Sequence, residues 1–500
     1  MADTKREIER KYESDDSGLP DLTGVAGVAS VVDKGVAHLD ATYYDTADQR
    51  LTASSITLRR RTGGSDAGWH LKFPVAPGVR DEIRAPMSDT LPDELAALVR
   101  SRVREVEPEP VVRLRSDRDV RHLLDAEGRL LAEVSVDAVH AERLSGGVGN
   151  AQWTEIEVEL ADGGDPAFLD KVEKRLRKAG VRPSASSSKL ARALEETEPR
   201  EKIPAALEPV TAGDHVLAYV RAQRDAIVGL DPAVRQDVED SVHSMRVATR
   251  RLRSTFKSYD KVLDRTVTDP IGVELKWLAG ELGVDRDREV LHARLTAALE
   301  EVPGALVSGP VAERLDAWAG DRPGGASARL IGVLDSHRYL TLLDTLDALI
   351  ADPPLLKAAG KKPHKVIAAA VTKDFGKVAG LVGQALEVEP GTERDVAIHE
   401  ARKKTKRTRY AAEAARPALG KPAKGMVKSM KALQNLLGEH QDSVMARQTL
   451  RELSAVAHAA GESAFTYGLL YGREERRAAA VEAELPGFWD GVKGEASSFL

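Results

Sequence analysis

The chain has 500 residues, of which 42% are hydrophobic and 30% are charged, and its formal net charge at pH 7 is −6. This length exceeds what one hydrophobic core usually serves, so we expect roughly two to four domains. The absence of cysteine excludes disulfides, thiolate nucleophiles and cysteine metal ligands, and no run approaches the roughly 18 to 20 apolar residues of a membrane-spanning helix.

Residues 1–195 carry the patterns of a β-rich domain. Two residue classes alternate with period two along the segments 56–61, 69–73, 130–136 and 153–160. Segments rich in glycine, aspartate or asparagine, at 63–64, 125–128 and 146–150, supply turns. The segment 24–39 is instead typical of a short helix.

Charged faces recur on strand after strand in this region. The residues that share such faces are Glu7, Glu9 and Lys11; Arg59 and Arg61; Glu82 and Arg84; and Glu155, Glu157 and Glu159. A closed barrel with a charged interior explains the pattern, because every second residue of a strand points inward. Solvated strand faces with cross-strand ion pairs are the alternative. Arg10, Arg60 and His70 occupy the other set of alternating strand positions, so we predict that they point outward.

The chain changes character after a predicted linker at 196–212. From residue 213 it carries long helical periodicity, which predicts an all-α domain of two related helical bundles, about 213–350 and 363–500. The predicted helices are 215–229, 234–262, 271–301, 327–350, 363–386, 393–415, 424–456 and 461–483.

A basic helix that begins with histidine occurs twice, at 242–253 and 398–409, 156 residues apart. Helical spacing places His243, Arg246, Arg250 and Arg253 in one stripe and His399, Arg402, Lys406 and Arg409 in another, with Lys403 one turn after His399. Each copy is followed by a lysine, a Leu-Gly pair and an aspartate: Lys276, Leu282-Gly283 and Asp287, then Lys431, Leu437-Gly438 and Asp442.

Such a stripe is unfavourable in an isolated helix, since like charges one turn apart repel by a few tenths of a kcal/mol per pair. A bound polyanion would relieve the repulsion, whereas pairing with acidic segments such as 237–240 is the alternative. A metal role for His243 or His399 is disfavoured, because neither has a histidine or carboxylate at i+4. The acidic net charge and the lack of interleaved aromatic residues argue against nucleic acid.

An ordered set of residues spans nearly all of 1–195. It comprises Glu7-Ile8-Glu9-Arg10-Lys11, Tyr43-Tyr44-Asp45-Thr46, Leu58-Arg59-Arg60-Arg61, Leu71-Lys72, Glu82, Arg84, Glu133, Asp137, Glu155-Ile156-Glu157-Val158-Glu159 and Ser188-Lys189. This set resembles the CYTH family, also called triphosphate tunnel metalloenzymes. The resemblance implies a closed antiparallel β-barrel whose interior is a tunnel, in a domain at 1–195.

The same resemblance implies site residues and a reaction. Basic residues would hold a triphosphate: Arg59, Arg61, Lys72, Arg84, Arg115, Arg118 and Lys189. Glu7, Glu9, Glu157 and Glu159 would hold Mg²⁺ or Mn²⁺, and Glu7, Glu9 and Lys11 would be catalytic. Water would attack the terminal phosphate, and the general base stays open, because relatives use either a second metal or a lysine–tyrosine pair. A straight strand cannot point both Arg115 and Arg118 inward.

Residues 208–500 resemble the CHAD domain through the two histidine-led helices and the Leu-Gly and aspartate that follow each. An intervening Val284-Asp285 departs from the family pattern. The resemblance implies a helical domain, at 213–500, that binds inorganic polyphosphate through a basic surface and often follows a CYTH domain. The residues concerned are His243, Arg246, Arg250, Arg253, Lys276, His399, Arg402, Lys403, Lys406, Arg409 and Lys431.

These observations predict a polyphosphate-binding protein with a metal-dependent triphosphatase domain that acts on inorganic triphosphate or short polyphosphate. Two alternatives stay open: a non-catalytic polyphosphate-targeting protein, and an enzyme acting on thiamine triphosphate or ATP, including adenylate cyclase chemistry. The N-terminal segment has no apolar stretch and predicts no secretory signal. We therefore expect a cytoplasmic protein without a membrane partner, and the resemblance adds polyphosphate granules as a location.

Overall fold

A computed structural model describes residues 3–14, 18–147, 149–197, 208–320 and 325–496. The chain divides into two compact units, Met1–Ala205 and Ala206–Leu500. Most of the predicted linker, residues 198–207, lies outside the described residues, so the domain boundaries stay a prediction.

The first unit is built on one antiparallel sheet. Its strands are β1 (Asp3–Glu13), β2 (Ser30–Asp45), β3 (Thr57–Thr62), β4 (Gly68–Ala76), β5 (Val79–Ala85), β6 (Glu109–Leu124), β7 (Leu130–Arg143), β8 (Asn150–Leu160) and β9 (Arg182–Pro183). The order is β5-β4-β3-β2-β6-β7-β8-β1-β9, and the sheet closes because the first half of β1 pairs with β5 while the second half pairs with β8. The predicted closed antiparallel barrel is confirmed.

The helix predicted at 24–39 is wrong, because β2 begins at Ser30 and pairs with β6 along nearly its whole length. Gly24, Gly27 and Gly35 have φ values of 79°, 92° and 86°, which a right-handed helix does not allow. The helical spacing of apolar residues here is therefore overridden by glycine turns and by pairing with a distant strand.

Helices cover the outside of the barrel, which explains why the charged residues point inward. These helices are α1 (Arg50–Ala53), α2 (Asp93–Val103), α3 (Ala167–Lys178) and α4 (Lys189–Thr197). Each of the last three packs apolar side chains on the outer face of the sheet, for example α2 against Trp69 and α3 against Ile156. Each such large buried side chain stabilises the fold by roughly 1.5–3 kcal/mol.

The described residues of the second unit form helices joined by turns and short connections, as predicted. Its helices are α5 (Ala212–Arg235), α6 (Ser241–Ser258), α7 (Arg265–Glu281), α8 (Val284–Glu300), α9 (Val311–Ala319), α10 (Gly325–Asp335), α11 (His337–Ala351), α12 (Pro363–Glu387), α13 (Thr392–Leu419), α14 (Lys421–Ala459) and α15 (Phe465–Ala496), with a 3-10 turn at Gly304–Leu306. The two histidine-led segments lie on α6 and α13.

All eight predicted helices differ in their bounds from the helices of the structure, and three of them contain a break. The helix predicted at 234–262 begins only at Ser241, after two residues with positive φ. The one predicted at 271–301 breaks at Gly283 into α7 and α8. The one predicted at 327–350 breaks at Ser336, whose hydroxyl accepts a hydrogen bond from the Tyr339 amide and starts α11 as an N-cap.

One hydrophobic core joins the two repeats. It contains Met245 and Leu252 of α6, Leu275 of α7, and Ile398 and Ala401 of α13. This shared core holds the polar stripes of α6 and α13 near each other on the surface of the same unit. Within the described residues, no helix combines the length and the apolar character needed to cross a membrane.

Candidate functional sites

The barrel encloses a charged cavity of about 690 Å³, whose lining includes ten lysines or arginines and eight aspartates or glutamates. All but one of the predicted tunnel residues face it: Glu7, Glu9, Lys11, Arg59, Arg61, Lys72, Arg84, Arg118, Glu157, Glu159 and Lys189. The opposed charges make this cavity suited to a ligand that carries phosphate groups and a cation.

Arg115 is the exception, and the prediction that it faces the tunnel is wrong. Its side chain is 59% exposed and lies 3.5 Å from Glu142 on the outside of the barrel. Arg118 lies three residues further along β6, so the two side chains leave opposite faces of the strand. Arg118 is the inward one, paired with Asp137 and Glu157.

A buried carboxylate, Glu82, organises the basic side of the cavity. Its oxygens lie 2.5 Å from Arg84, 3.4 Å from Lys72 and 3.8 Å from Arg59. Burial alone would raise the pKa of Glu82, but the hydrogen bond from His70 and the charges of Lys72 and Arg59 hold it well below its usual range. Glu82 therefore stays ionised and fixes three cations along one wall.

His70 was expected to point outward, and that expectation is wrong. The ring is buried, with Nδ1 2.9 Å from Glu82 and Nε2 2.9 Å from the Asp66 carbonyl oxygen. His70 precedes Lys72 by two residues and so shares its inward phase. Arg10, in contrast, does point outward, to Asp170 and Glu173 of α3.

The acidic side of the cavity is formed by β1 and β8. Glu9 and Glu159 are direct neighbours across these strands, and both face the cavity. Burial raises the pKa of Glu7 to about 7, with Glu82 and Glu159 adding to the shift and Lys72 opposing it. Each of these carboxylates also pairs with a lysine: Glu7 with Lys72, Glu9 with Lys11 and Glu159 with Lys5. Carboxylate oxygens are the hard ligands that Mg²⁺ and Mn²⁺ prefer, so the donor set fits a divalent cation.

A second group of carboxylates surrounds Lys189 at the start of α4. Lys189 Nζ lies 3.0 Å from Asp137, 2.7 Å from Glu155 and 2.6 Å from Glu157. Asp137, Glu155 and Glu157 have oxygens close enough together to hold a metal. The lysine ammonium already supplies a positive charge there, and Lys11 and Arg118 also contact Glu157, at 2.7 Å each.

Several residues that line the cavity were not predicted from the sequence, among them Lys5, Arg80 and Tyr43. Period two would have found Lys5, in phase with Glu7, and Arg80, in phase with Glu82. The Tyr43 hydroxyl accepts a hydrogen bond from Arg59 at 3.2 Å. Burial would raise the pKa of Tyr43, but Arg59, Lys189 and Lys11 together lower it, which makes the phenol unusually acidic.

In the helical unit, the arginine of each copy lies over the glycine of its Leu-Gly pair. Arg246 makes two hydrogen bonds with Asp287, at 2.8 and 2.9 Å, and a Cβ atom at Gly283 would come within 2.5 Å of its guanidinium. Arg402 lies at Gly438 in the same way, 3.5 Å from where a Cβ atom would be. The glycines thus provide the space in which these guanidinium groups lie.

Arg246 and Arg250 of α6 and Arg402 and Lys406 of α13 form one group, which we name the cation cluster. Burial, then the charges of Arg402 and Arg250, lower the pKa of Lys406 to about 7; Arg246 adds to the shift and Asp442 opposes it. The mutual influence of these charges shows that both repeats contribute to one concentration of positive charge.

The other residues that were predicted to bind polyphosphate differ in their neighbours and exposure. Arg253 adjoins Arg250, and burial followed by this neighbour lowers its pKa. Two cations have acidic partners: Lys403 pairs with Glu400, and Arg409 lies 3.4 Å from Glu413. His399 Nδ1 is 2.5 Å from the Gln441 side-chain oxygen. His243, Lys276 and Lys431 are exposed.

A further histidine–carboxylate group joins α13, α14 and α15. His440 is fully buried, with Nε2 3.4 Å from Asp395 and 3.2 Å from Glu482. Arg447 also pairs with Asp395, at 3.2 Å, and Arg394 pairs with Glu482, at 2.9 Å. Because arginines already neutralise both carboxylates, we interpret this group as a structural link between the three helices.

Comparisons with known proteins match both units. A model of the CYTH domain matches residues 5–194, and a model of the CHAD domain matches residues 218–451. An uncharacterized protein of Mycobacterium tuberculosis is 38% identical over 499 residues, which cover 96% of this chain and 95% of that protein.

Two solved structures are similar to part of this chain. The CHAD domain from the plant Ricinus communis is 24% identical, with a TM-score of 0.43, and covers 59% of this chain and 96% of that one. An adenylyl cyclase candidate from Hippeastrum, described as having a dominant triphosphatase activity, is 18% identical, with a TM-score of 0.24, and covers 40% of this chain and 97% of that one.

Proposed function

This chain belongs to the family of proteins that join a CYTH domain to a CHAD domain, and from that premise we propose that it binds polyphosphate and hydrolyses inorganic triphosphate or short polyphosphate with Mg²⁺ or Mn²⁺. One observation carries the proposal: the barrel encloses a cavity with a basic wall and an acidic wall. A triphosphate–metal complex has the complementary distribution of charge.

The basic wall would bind the phosphates. Arg59, Lys72 and Arg84 are held side by side by Glu82, and Arg61 faces the same cavity. Fixed guanidinium groups match phosphate oxygens in geometry as well as in charge. Because their partners already hold these side chains in place, little side-chain entropy is lost when the anion binds.

The acidic wall would hold the metal through Glu7, Glu9 and Glu159. When bound, a divalent cation neutralises the charge that develops on phosphate oxygens during transfer. Glu157 lies in the same cavity but is occupied by Lys11, Lys189 and Arg118, so we assign it the role of positioning these cations. Water would be the nucleophile.

Phosphate release by the purified full chain tests the enzymatic part of the proposal. We expect release from tripolyphosphate with Mg²⁺ or Mn²⁺ and none with chelator, because without the cation the carboxylates of the acidic wall would repel the phosphate oxygens. Thiamine triphosphate and ATP are the comparison substrates. Faster release from either of these would assign the cavity to an organic triphosphate, and no release from all three would leave a binding protein.

The helical unit would bind polyphosphate at the cation cluster. Its four cations come from both repeats, and the carboxylates beside them, Asp287 and Asp442, are fewer. This surplus of partly buried positive charge is a cost to the ligand-free protein that a polyanion removes. Polyphosphate suits it because its negative charges are closely and regularly spaced.

The lowered pKa of Lys406 predicts that polyphosphate affinity falls as the pH rises above about 7. A bound polyanion favours the charged ammonium, so binding takes up a proton that the free lysine has increasingly lost. The loss from this group is at most about tenfold per pH unit. Titrations between roughly pH 6 and 9 would measure it, and we expect a flatter dependence in Lys406→Arg, whose side chain stays charged. An identical dependence in this variant would assign the effect to groups other than Lys406.

A further inference from the structure

Four lysines follow one face at the beginning of α14. Lys421, Lys424, Lys428 and Lys431 have the spacing i, i+3, i+7 and i+10, and all four are exposed. The opposite face of this part of the helix, with Ala423, Met426 and Met430, is buried. We name the four residues the lysine track.

The track is an unfavourable arrangement in the protein alone. No acidic residue occurs in α14 before Glu439, and among the described residues the four lysines make no ion pair. Lys421 and Lys424 also lie in the first turns of the helix, where the helix dipole disfavours cations. An external anion would relieve both costs.

The track leads toward the cation cluster. The same face of α14 continues through Asn435 to Gly438, where Arg402 lies, and to Asp442, which lies 4.0 Å from Arg402. The rise of the helix puts Lys421 roughly 25 Å from Gly438 along the axis. Arg416, near the end of α13, lines the same surface depression, of about 510 Å³, as the four lysines.

The first repeat has no equivalent of the lysine track. In register with the lysine track it has Thr266, Asp269, Val273 and Lys276, and Asp269 is paired with Arg265 at 2.6 Å. Only one of the four positions therefore keeps its lysine. Positive charge extends from the cluster along the second repeat and not along the matching face of the first.

We propose that the lysine track is an extended binding site for long polyphosphate chains, which occupy the cation cluster and continue along α14. The inference rests on the proposed function, and adds that the protein favours long chains over short ones and holds them on one side of the cluster. Segment 416–435 contains no aromatic residue on which bases could stack, which favours polyphosphate over single-stranded RNA.

The test compares long-chain and short-chain polyphosphate binding to the full-length protein and to Lys421→Ala/Lys424→Ala/Lys428→Ala. We expect the ratio of long-chain to short-chain affinity to fall by roughly 10- to 100-fold at about 0.1 M salt, and the salt slope for long chains to fall by about 2. The matched control is Lys357→Ala/Lys362→Ala/Lys365→Ala, which removes three exposed lysines of the same unit elsewhere.

The proposal that the lysine track binds long chains is overturned if the ratio of long-chain to short-chain affinity is unchanged in the track variant, or falls equally in the control. Either result leaves polyphosphate binding itself intact. Wild-type protein that binds no polyphosphate overturns the proposed function and the track together. Single-stranded RNA at equal phosphate concentration is the third arm, and a larger loss of RNA binding than of polyphosphate binding would reassign the track to nucleic acid.

Discussion

The double substitution Glu7→Gln/Glu9→Gln is expected to lower metal-dependent phosphate release from tripolyphosphate by about 10³-fold or more. Both carboxylates belong to the wall that would hold the cation, and the amide side chains keep the shape while removing the negative charge. Burial already raises the pKa of Glu7 to about 7, so we expect a neutral side chain at this position to cost the folded barrel little stability. Phosphate release with saturating Mg²⁺ or Mn²⁺ is the measurement.

The matched control is Glu127→Gln/Glu142→Gln, which changes the charge equally at two exposed positions outside the cavity. Thermal unfolding and polyphosphate binding should be retained in both variants, which separates a damaged site from a damaged fold. Metal-dependent turnover that survives in the Glu7/Glu9 variant would refute the assignment of this wall as the metal site.

Replacing the whole cation cluster, as Arg246→Ala/Arg250→Ala/Arg402→Ala/Lys406→Ala, has the second large expected effect. We expect polyphosphate affinity to fall by roughly 10²- to 10³-fold at about 0.1 M salt, and the slope of log affinity against log salt to fall by about 3, because four cations no longer displace counterions. Binding measured across a salt series reports both quantities.

The unfolding temperature of the cluster variant shows whether the four substitutions damage the fold. In the folded state the pKa of Lys406 lies below its unfolded value, so keeping the lysine charged costs folding free energy at any pH below the unfolded pKa. Removing the cluster relieves this cost, so the ligand-free unfolding temperature is expected to be at or above that of the wild type. The matched control removes four exposed lysines, Lys357, Lys361, Lys362 and Lys365. If the control lost as much affinity as the cluster variant, net charge and not the cluster would be responsible for binding.

The two proposed sites differ in how far their positive charge is compensated before a ligand binds. In the barrel, each cation of the basic wall is held by a carboxylate such as Glu82, so the cavity is nearly balanced before a ligand enters. In the helical unit, the cation cluster has few acidic partners, and the excess charge lowers the pKa of Lys406. A balanced, rigid cavity suits the orientation of one bond for hydrolysis, whereas an excess of charge suits the retention of a long anion.

The local periodicity of the sequence determined which residues share a face of each strand and helix. Charged residues at every second position, such as Glu7 and Glu9, predicted the charged interior of the barrel, because the alternation of side chains is a property of each strand alone. The repeat of His243 and Arg246 at His399 and Arg402 predicted two equivalent cationic helices for the same reason, since helical spacing fixes which residues share a face.

Only the tertiary structure decided what depends on contacts between distant segments. Pairing with β6 makes 30–45 a strand, and the register of that sheet sends Arg115 outward and Arg118 inward. The position of Lys189 among Asp137, Glu155 and Glu157 requires α4 to close back on the barrel. The meeting of the two stripes in one cation cluster requires the shared core of α6 and α13. Such contacts depend on packing across the whole domain, whereas the sequence pattern of a segment reports only its own periodicity.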